Sequence, residues 1–353
     1  MMSRLFPVLL SLLLTTISLV HAAESAVILQ YHHFSDTTPR STSISPERFE
    51  QQLNYLEQND FTVWPLQRVV DAVLQGDVVP DKTIAITVDD AYDSIYSEAW
   101  PRLKRRGWSM TVFVNSDAVD SGLRPYLSWE QMREMQRSGV AFANHTASHD
   151  HLIRRRAGEP ESQWRLRVIA DIDKAQQRLQ EELGRAPKLF VYPYGEYDYA
   201  LRQLVGELGY VGFGQQSGPI GPLSDRRALP RFPMAGPYTE MAGFIEKLNT
   251  LPLPVNGQGE VDPLLPNQLE LPILSLKLNA GAFNPDAISC FITGQGKGDV
   301  SYQAGLLTVM AKSALPVGRS RYNCTVRHNK MNRYFWYSQN WIRRNSDGSW
   351  YRE

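Results

Sequence analysis

Cysteine is nearly missing from this chain: its 353 residues include 2, Cys290 and Cys324. Neither has a second cysteine at the short spacing of a structural zinc site, which excludes a thiolate-rich metal centre. Nothing else in the pattern of reactive side chains points to their region, so a catalytic thiol is not expected. In an exported chain the pair could instead close one long disulfide loop. An excess of one charge sign is also missing. The 37 basic and 37 acidic residues cancel, leaving no electrostatic footprint for nucleic acid. Internal repeats and low-complexity tracts are absent. Beyond the N-terminal stretch, no apolar run reaches the length of a membrane span.

That N-terminal stretch carries Arg4, then a mostly apolar run from Leu5 to Val20, then the small residues Ala22 and Ala23. The order matches a secretory signal peptide. The expectation is that residues 1–23 are removed and the remainder is exported, to a periplasm or outside the cell. No cysteine stands near the cleavage point, which argues against a lipoprotein, and no transmembrane span is expected in the mature chain.

From residue 26 to about residue 213, strand-like and helix-like segments alternate with short loops. Strands are expected at 26–29, 61–64, 84–88, 110–114, 140–143, 189–192 and 210–213. Helices are expected at 41–59, 65–75, 94–106, from Ser128 onward, at 162–183 and at 201–208. Ser45 before Pro46 reads as an N-cap with proline at N1, and Ser128 with Gln131 reads as a capping box. Such alternation predicts an α/β domain with a mainly parallel sheet, barrel or open. His32, Asp89, Asp90, His145, His149 and Tyr194 all follow the C-terminal ends of predicted strands, where barrel enzymes place their chemistry. The proline- and glycine-containing stretch 251–266 reads as a linker, and 267–353 as a smaller β-rich domain that could bind sugar, dock a partner or cover the barrel.

The stretch 84–88 delivers two adjacent carboxylates, Asp89 and Asp90. Alone, such a pair reads as a helix N-cap, since like charges this close raise each other's pKa unless a cation compensates. His145 and His149 supply a reason for a cation. Their i, i+4 spacing would put both imidazoles on one face of a helix. Two histidines and one aspartate, with positions left open, suit a divalent Lewis acid. His151 is expected to face solvent.

Thr87-Val88-Asp89-Asp90 and His145-Thr146-Ala147-Ser148-His149 resemble, in order, the T-F-D-D and H-[ST]-x-x-H motifs of the NodB-homology polysaccharide deacetylases, carbohydrate esterase family four. Tyr192-Pro193-Tyr194-Gly195 is similar to the family's third motif. The resemblance covers roughly residues 26 to 240. It implies a distorted (β/α) barrel over 24–250 that hydrolyses N-acetyl groups on an N-acetylated polysaccharide. Asp90, His145 and His149 would hold the cation, with zinc favoured and nickel or cobalt also fitting. Asp89 would be the base toward the attacking water, and the Tyr194 N–H would hold the oxyanion. Val191 stands where the family usually has arginine, and the late Leu-x-x-His motif that supplies an acid is missing. Tyr31-His32-His33 is similar to a V-L-x-[WY]-H segment of the subgroup that includes the poly-N-acetylglucosamine deacetylases. That match implies His32 as the acid, with His33 the alternative because neighbours on a strand point to opposite faces. Leu229-Pro230-Arg231 resembles a Leu-x-Arg position of that subgroup, so Arg231 would bind Asp89 in place of the missing arginine. The competing function is a deacetylase-like protein that binds glycan without turnover.

Overall fold

Val27–Tyr31 and Thr83–Val88 are buried at every position, as strands covered on both faces must be. They form the middle of a parallel sheet in the computed structural model, which describes residues 22–267 and 271–352. We number its strands β1 (Val27–Tyr31), β2 (Thr62–Val63), β3 (Thr83–Val88), β4 (Thr111–Val114), β5 (Ala141–Asn144), β6 (Leu189–Val191), β7 (Val211–Phe213) and β8 (Phe232–Pro233). Their order is β7-β6-β5-β4-β3-β1-β8, with β2 beside the start of β3. The sheet curls until one extended segment links its two edges. Leu229 bridges to Phe213 of β7, and Phe232 pairs with Leu29 of β1. The distorted barrel anticipated from the sequence is the observed architecture.

Alternation within the strands divides the core in two. Leu29, Ile86, Val88 and Val112 pack outward against Phe49, Leu53, Leu103 and Met132 of surrounding helices. Ile28, Ala85, Phe113 and Phe213 gather on the other face with Val69, Val70 and Val73 of the helix Leu66–Gln75. On that inner face, Gln30, Thr87 and Asp89 continue the two-residue alternation toward the strand ends and are buried polar groups. The close wall between β7 and the returning chain requires Gly212, where a Cβ would lie 2.2 Å from the Arg227 carbonyl oxygen.

The caps form as expected. The Ser45 hydroxyl accepts from Arg48 N at 3.1 Å, and Ser128 and Gln131 make a full capping box. The helix expected over 94–106 is instead a π-turn, Ile95–Ala99, running into a short α-helix, Trp100–Arg105. Pro101, which has no N–H to donate, sits at the junction.

The β-rich unit is two facing sheets. One holds Thr250–Pro252, Tyr334–Arg343, Gly318–Arg327, Ser289–Ile292 and Gly296–Lys297; the other holds Val255–Asn256, Ile273–Leu278, Leu306–Met310 and Asp299–Gln303. Leu274, Leu276, Leu307, Val309, Tyr322 and Trp341 fill the space between. The stretch 251–266 is therefore not a free connection. Its first residues are strands of both sheets, and Leu253, Val255 and Leu265 are buried in the sandwich core. Prolines at 252 and 254 are compatible with strands at sheet edges. Cys290 and Cys324 lie opposite each other on paired strands and are disulfide-bonded.

Of the expected signal segment, residues 1–21 lie outside the described residues. Ala22–Ala23 pair with Val79–Pro80.

Candidate metal centre and its surroundings

The three proposed ligands converge. Asp90 Oδ1 lies 3.2 Å from His145 Nε2 and 3.2 Å from His149 Nε2. The two Nε2 atoms are 3.2 Å apart. A tetrahedral ion with bonds of about 2.0 Å would need its donors roughly 3.3 Å from one another, so the triangle has the right size. Two further observations fit a cation. His145 Nδ1 is 2.9 Å from the Val191 carbonyl oxygen, which assigns the proton to Nδ1 and turns the Nε2 lone pair inward. Asp90 Oδ1 is buried and has no hydrogen-bond donor, although burying a bare carboxylate oxygen is costly.

The backbone that brings these groups together is strained. Asp90, Thr146, His149 and Tyr194 have φ of 70°, 66°, 60° and 59°. Each such residue costs on the order of 1–3 kcal/mol and persists only where its surroundings over-determine it. His145 and His149 therefore meet through an irregular turn, not on a helix. Asp171 holds that turn: Oδ1 accepts from Ser148 N at 2.9 Å and from Ala147 N at 3.2 Å, and Oδ2 accepts from the Ser148 hydroxyl at 2.9 Å. Asn144 Oδ1 accepts from Thr146 N, and Thr146 Oγ1 from His149 N, each at 2.9 Å.

Asp89 is held quite differently from its neighbour. Arg231 grips it with Nη1 on Oδ1 and Nη2 on Oδ2, both at 2.8 Å, and both side chains are fully buried. Gln30 Nε2 donates to Oδ2 at 2.7 Å. Arg231 itself is fixed by the Gly214 carbonyl at 3.0 Å and Thr87 Oγ1 at 3.1 Å. A carboxylate has about four acceptor positions. These three bonds leave one, on Oδ1. Burial by itself would raise the Asp89 pKa, but the Arg231 charge and hydrogen bonds outweigh it and hold it below the ordinary carboxylate value. For Asp90 too, burial opposes ionisation and the two imidazoles outweigh it, leaving it well below the usual range. Burial acts to lower the His145 pKa, and the Asp90 carboxylate reverses this to a net increase.

His32 Nε2 stands 3.8 Å from Asp89 Oδ2 with its side chain partly exposed. His33 is buried and stacks on Tyr92, ring centroids 3.6 Å apart. Tyr92 also stacks on Tyr126 at 5.3 Å.

Tyr194 lies in the turn Pro193–Gly195. Its ring is 4.7 Å from that of His149 and stacks on His151 at 3.8 Å and 10°. His151 is thus not a solvent-facing residue. Its Nδ1 pairs with Glu196 Oε2 at 2.7 Å. Gly195 is required here: its φ is +68°, and a Cβ would meet Gln215 at 2.7 Å.

The sequence reading missed Gln30, Asp171 and Glu196. The one available signal was a polar residue inside an otherwise apolar strand, which marks Gln30; for Asp171 and Glu196 the partners are known only from the fold.

A parallel α/β barrel with an Asp-His-His centre at its strand ends defines a class of metal-assisted hydrolase domains. Residues 76–213 match the sequence family described as polysaccharide deacetylase. The match leaves out His32 and Arg231. The chain is 24% identical over 240 residues to the poly-beta-1,6-N-acetyl-D-glucosamine N-deacetylase of Escherichia coli (strain K12), covering 58% of this chain and 36% of that protein. It is 23% identical over 206 residues to the enzyme of the same name from Staphylococcus aureus (strain MRSA252), covering 57% of this chain and 71% of that protein. The chain thus spans only about a third of the E. coli relative. In structure it is similar to a Streptococcus pyogenes deacetylase solved with acetate, with a TM-score of 0.57, 21% identity, and coverage of 64% of this chain and 98% of that one.

Proposed function

We propose that this chain is an exported, metal-dependent hydrolase that removes N-acetyl groups from a poly-N-acetylglucosamine-like glycan. The observation that carries the reading is the division of labour at the end of β3. Asp90 joins two imidazoles, while Asp89 is held apart by Arg231 and Gln30. A carboxylate beside a metal site but outside its ligand set is what a general base requires.

When bound by Asp90, His145 and His149, a divalent cation, zinc on this donor set, supplies Lewis acidity toward the attacking water and the acetamide carbonyl. Asp89 takes the proton of that water at Oδ1, where it keeps an acceptor position. Arg231 fixes the plane of the carboxylate and keeps it ionised until that moment. The Tyr194 N–H donates to the oxygen that becomes negative as water adds. His32, across from Asp89, donates the proton that lets the sugar nitrogen leave as an amine, and acetate is the second product. Two features support export: the signal-like N-terminal sequence and the Cys290–Cys324 disulfide, a bond that persists in oxidising compartments. The relatives' names support a β-1,6-linked N-acetylglucosamine polymer as substrate.

The test is acetate release from β-1,6-linked and β-1,4-linked N-acetylglucosamine oligomers. Faster release from the β-1,6 series is expected. Release from neither series, with zinc, nickel or cobalt present, would remove the activity proposed here.

A further inference from the structure

The β sandwich reaches the metal centre. Arg319, on the strand Gly318–Arg327, donates from Nη1 to the Tyr194 carbonyl at 3.0 Å. The same nitrogen lies 3.7 Å from Glu196 Oε1. Tyr351, after the last strand, donates its hydroxyl to Glu196 Oε1, and its carbonyl accepts from Arg154 Nη1 at 3.3 Å. Glu196 is fully buried. A buried carboxylate needs partners on every side. It finds His151 at 2.7 Å and Arg154 at 3.7 Å on the barrel, and Arg319 and Tyr351 on the sandwich.

These contacts bear on a single strained residue. Tyr194 holds a left-handed conformation that its own side chain disfavours. The restraints on it include the Arg319 bond to its carbonyl, the His151 ring beneath its own, and the glycine that follows. The first comes from the sandwich directly, and the second depends on Glu196, which the sandwich helps to hold. The Tyr194 ring in turn packs on the ligand His149.

We propose that the C-terminal sandwich completes the catalytic turn, with Arg319 and Tyr351 as positioning residues that lock Tyr194 and, through Glu196 and His151, its ring against His149. The role rests on the deacetylase reading given above, in which Tyr194 N–H serves the oxyanion. It also gives the β-rich unit a function: a wall of the site.

The test compares Arg319→Ala, Arg319→Lys and Tyr351→Phe in the full chain. Arg319→Ala is expected to lower kcat about tenfold or more while KM moves less than about twofold. Metal content stays at the wild-type level, and the melting temperature falls only modestly because Glu196 keeps His151, Arg154 and Tyr351 as partners. Arg319→Lys, which keeps a donor for the Tyr194 carbonyl, recovers most of kcat, and Tyr351→Phe gives a smaller loss of the same kind. A merely structural contact would not split kcat from KM or be rescued by lysine. Amide hydrogen exchange supplies a readout independent of activity, and faster exchange across 193–197 is expected in Arg319→Ala. A kcat within about twofold of wild type, or unchanged exchange at 193–197, overturns the proposal. If the wild type releases no acetate, the deacetylase reading fails by itself and the exchange measurement alone decides whether Arg319 restrains the turn.

Discussion

Arg231 and Asp89, 142 positions apart in sequence, form a fully buried pair with two bonds of 2.8 Å. Val191 occupies the position where arginine was expected from the third motif, and the guanidinium arrives from the segment that closes the barrel instead. The charge is supplied from a different wall, to the same carboxylate.

That pair predicts different outcomes for two substitutions. Arg231→Ala strands a buried carboxylate with Gln30 as its remaining side-chain donor, and losing one partner of such a pair costs about 3–5 kcal/mol. The melting temperature should fall clearly. Arg231→Lys keeps the charge but not the two-pronged geometry. It should fold with a smaller loss of stability and lose roughly 10- to 100-fold in kcat. Thermal unfolding and acetate release on the same samples check both.

The two adjacent histidines should separate cleanly. His32 faces Asp89 at 3.8 Å, whereas His33 is buried against Tyr92. His32→Ala should lower turnover about 100-fold or more with metal content unchanged. His33→Ala should mainly lower the melting temperature, with a smaller effect on turnover. A metal-poor His32→Ala protein would identify His32 as a ligand.

Removing any ligand should remove the ion. Asp90→Ala, His145→Ala and His149→Ala are each expected to leave the chain folded and metal-poor after dialysis, as measured by elemental analysis. Asp171→Asn, which weakens the hydrogen bonds shaping the His145–His149 turn, should reduce metal affinity by roughly tenfold.

The disulfide should matter for stability and not for chemistry. Cys290 and Cys324 are 34 residues apart, and closing a loop of that length stabilises by about 3–4 kcal/mol in the chain-entropy account. Cys290→Ala with Cys324→Ala should lower the melting temperature while leaving metal content unchanged.

The α/β alternation was legible in the sequence because its strands are buried on both faces and its helices carry local start and stop signals, whereas the closing of the sheet into a barrel was implied only by the motif resemblance. Ser45, Ser128 and Gly184 mark helix ends through contacts within a few residues. The meeting of the Asp89-Asp90 pair with His145 and His149 was legible for a similar reason, since each follows a strand whose C-terminal end faces one common region; the choice of Asp90 over Asp89 came from the motif resemblance. Other features depend on long-range geometry. The left-handed turn at Thr146 replaces the helix suggested by the histidine spacing, because Asn144 and Asp171 satisfy its backbone in a way no periodicity reveals. His151 looked like a solvent-exposed side chain because its partner, Glu196, lies 45 positions away. The stretch 251–266 looked like a linker because proline and glycine mark turns, yet residues such as Leu253 and Leu265 bury apolar surface in a sheet that only the later strands create. The approach of Arg319 to Tyr194 required both units to be in place.

The most direct measurement is acetate release from β-1,6-linked N-acetylglucosamine oligomers by chelator-stripped protein titrated with zinc, for wild type and Asp89→Asn, with bound metal measured in parallel. The division of labour between Asp89 and Asp90 predicts wild-type turnover that rises with metal to about one ion per chain. It also predicts an Asp89→Asn protein that binds the same amount and releases almost no acetate. Turnover independent of metal, or an Asp89→Asn protein working at the wild-type rate, would contradict it.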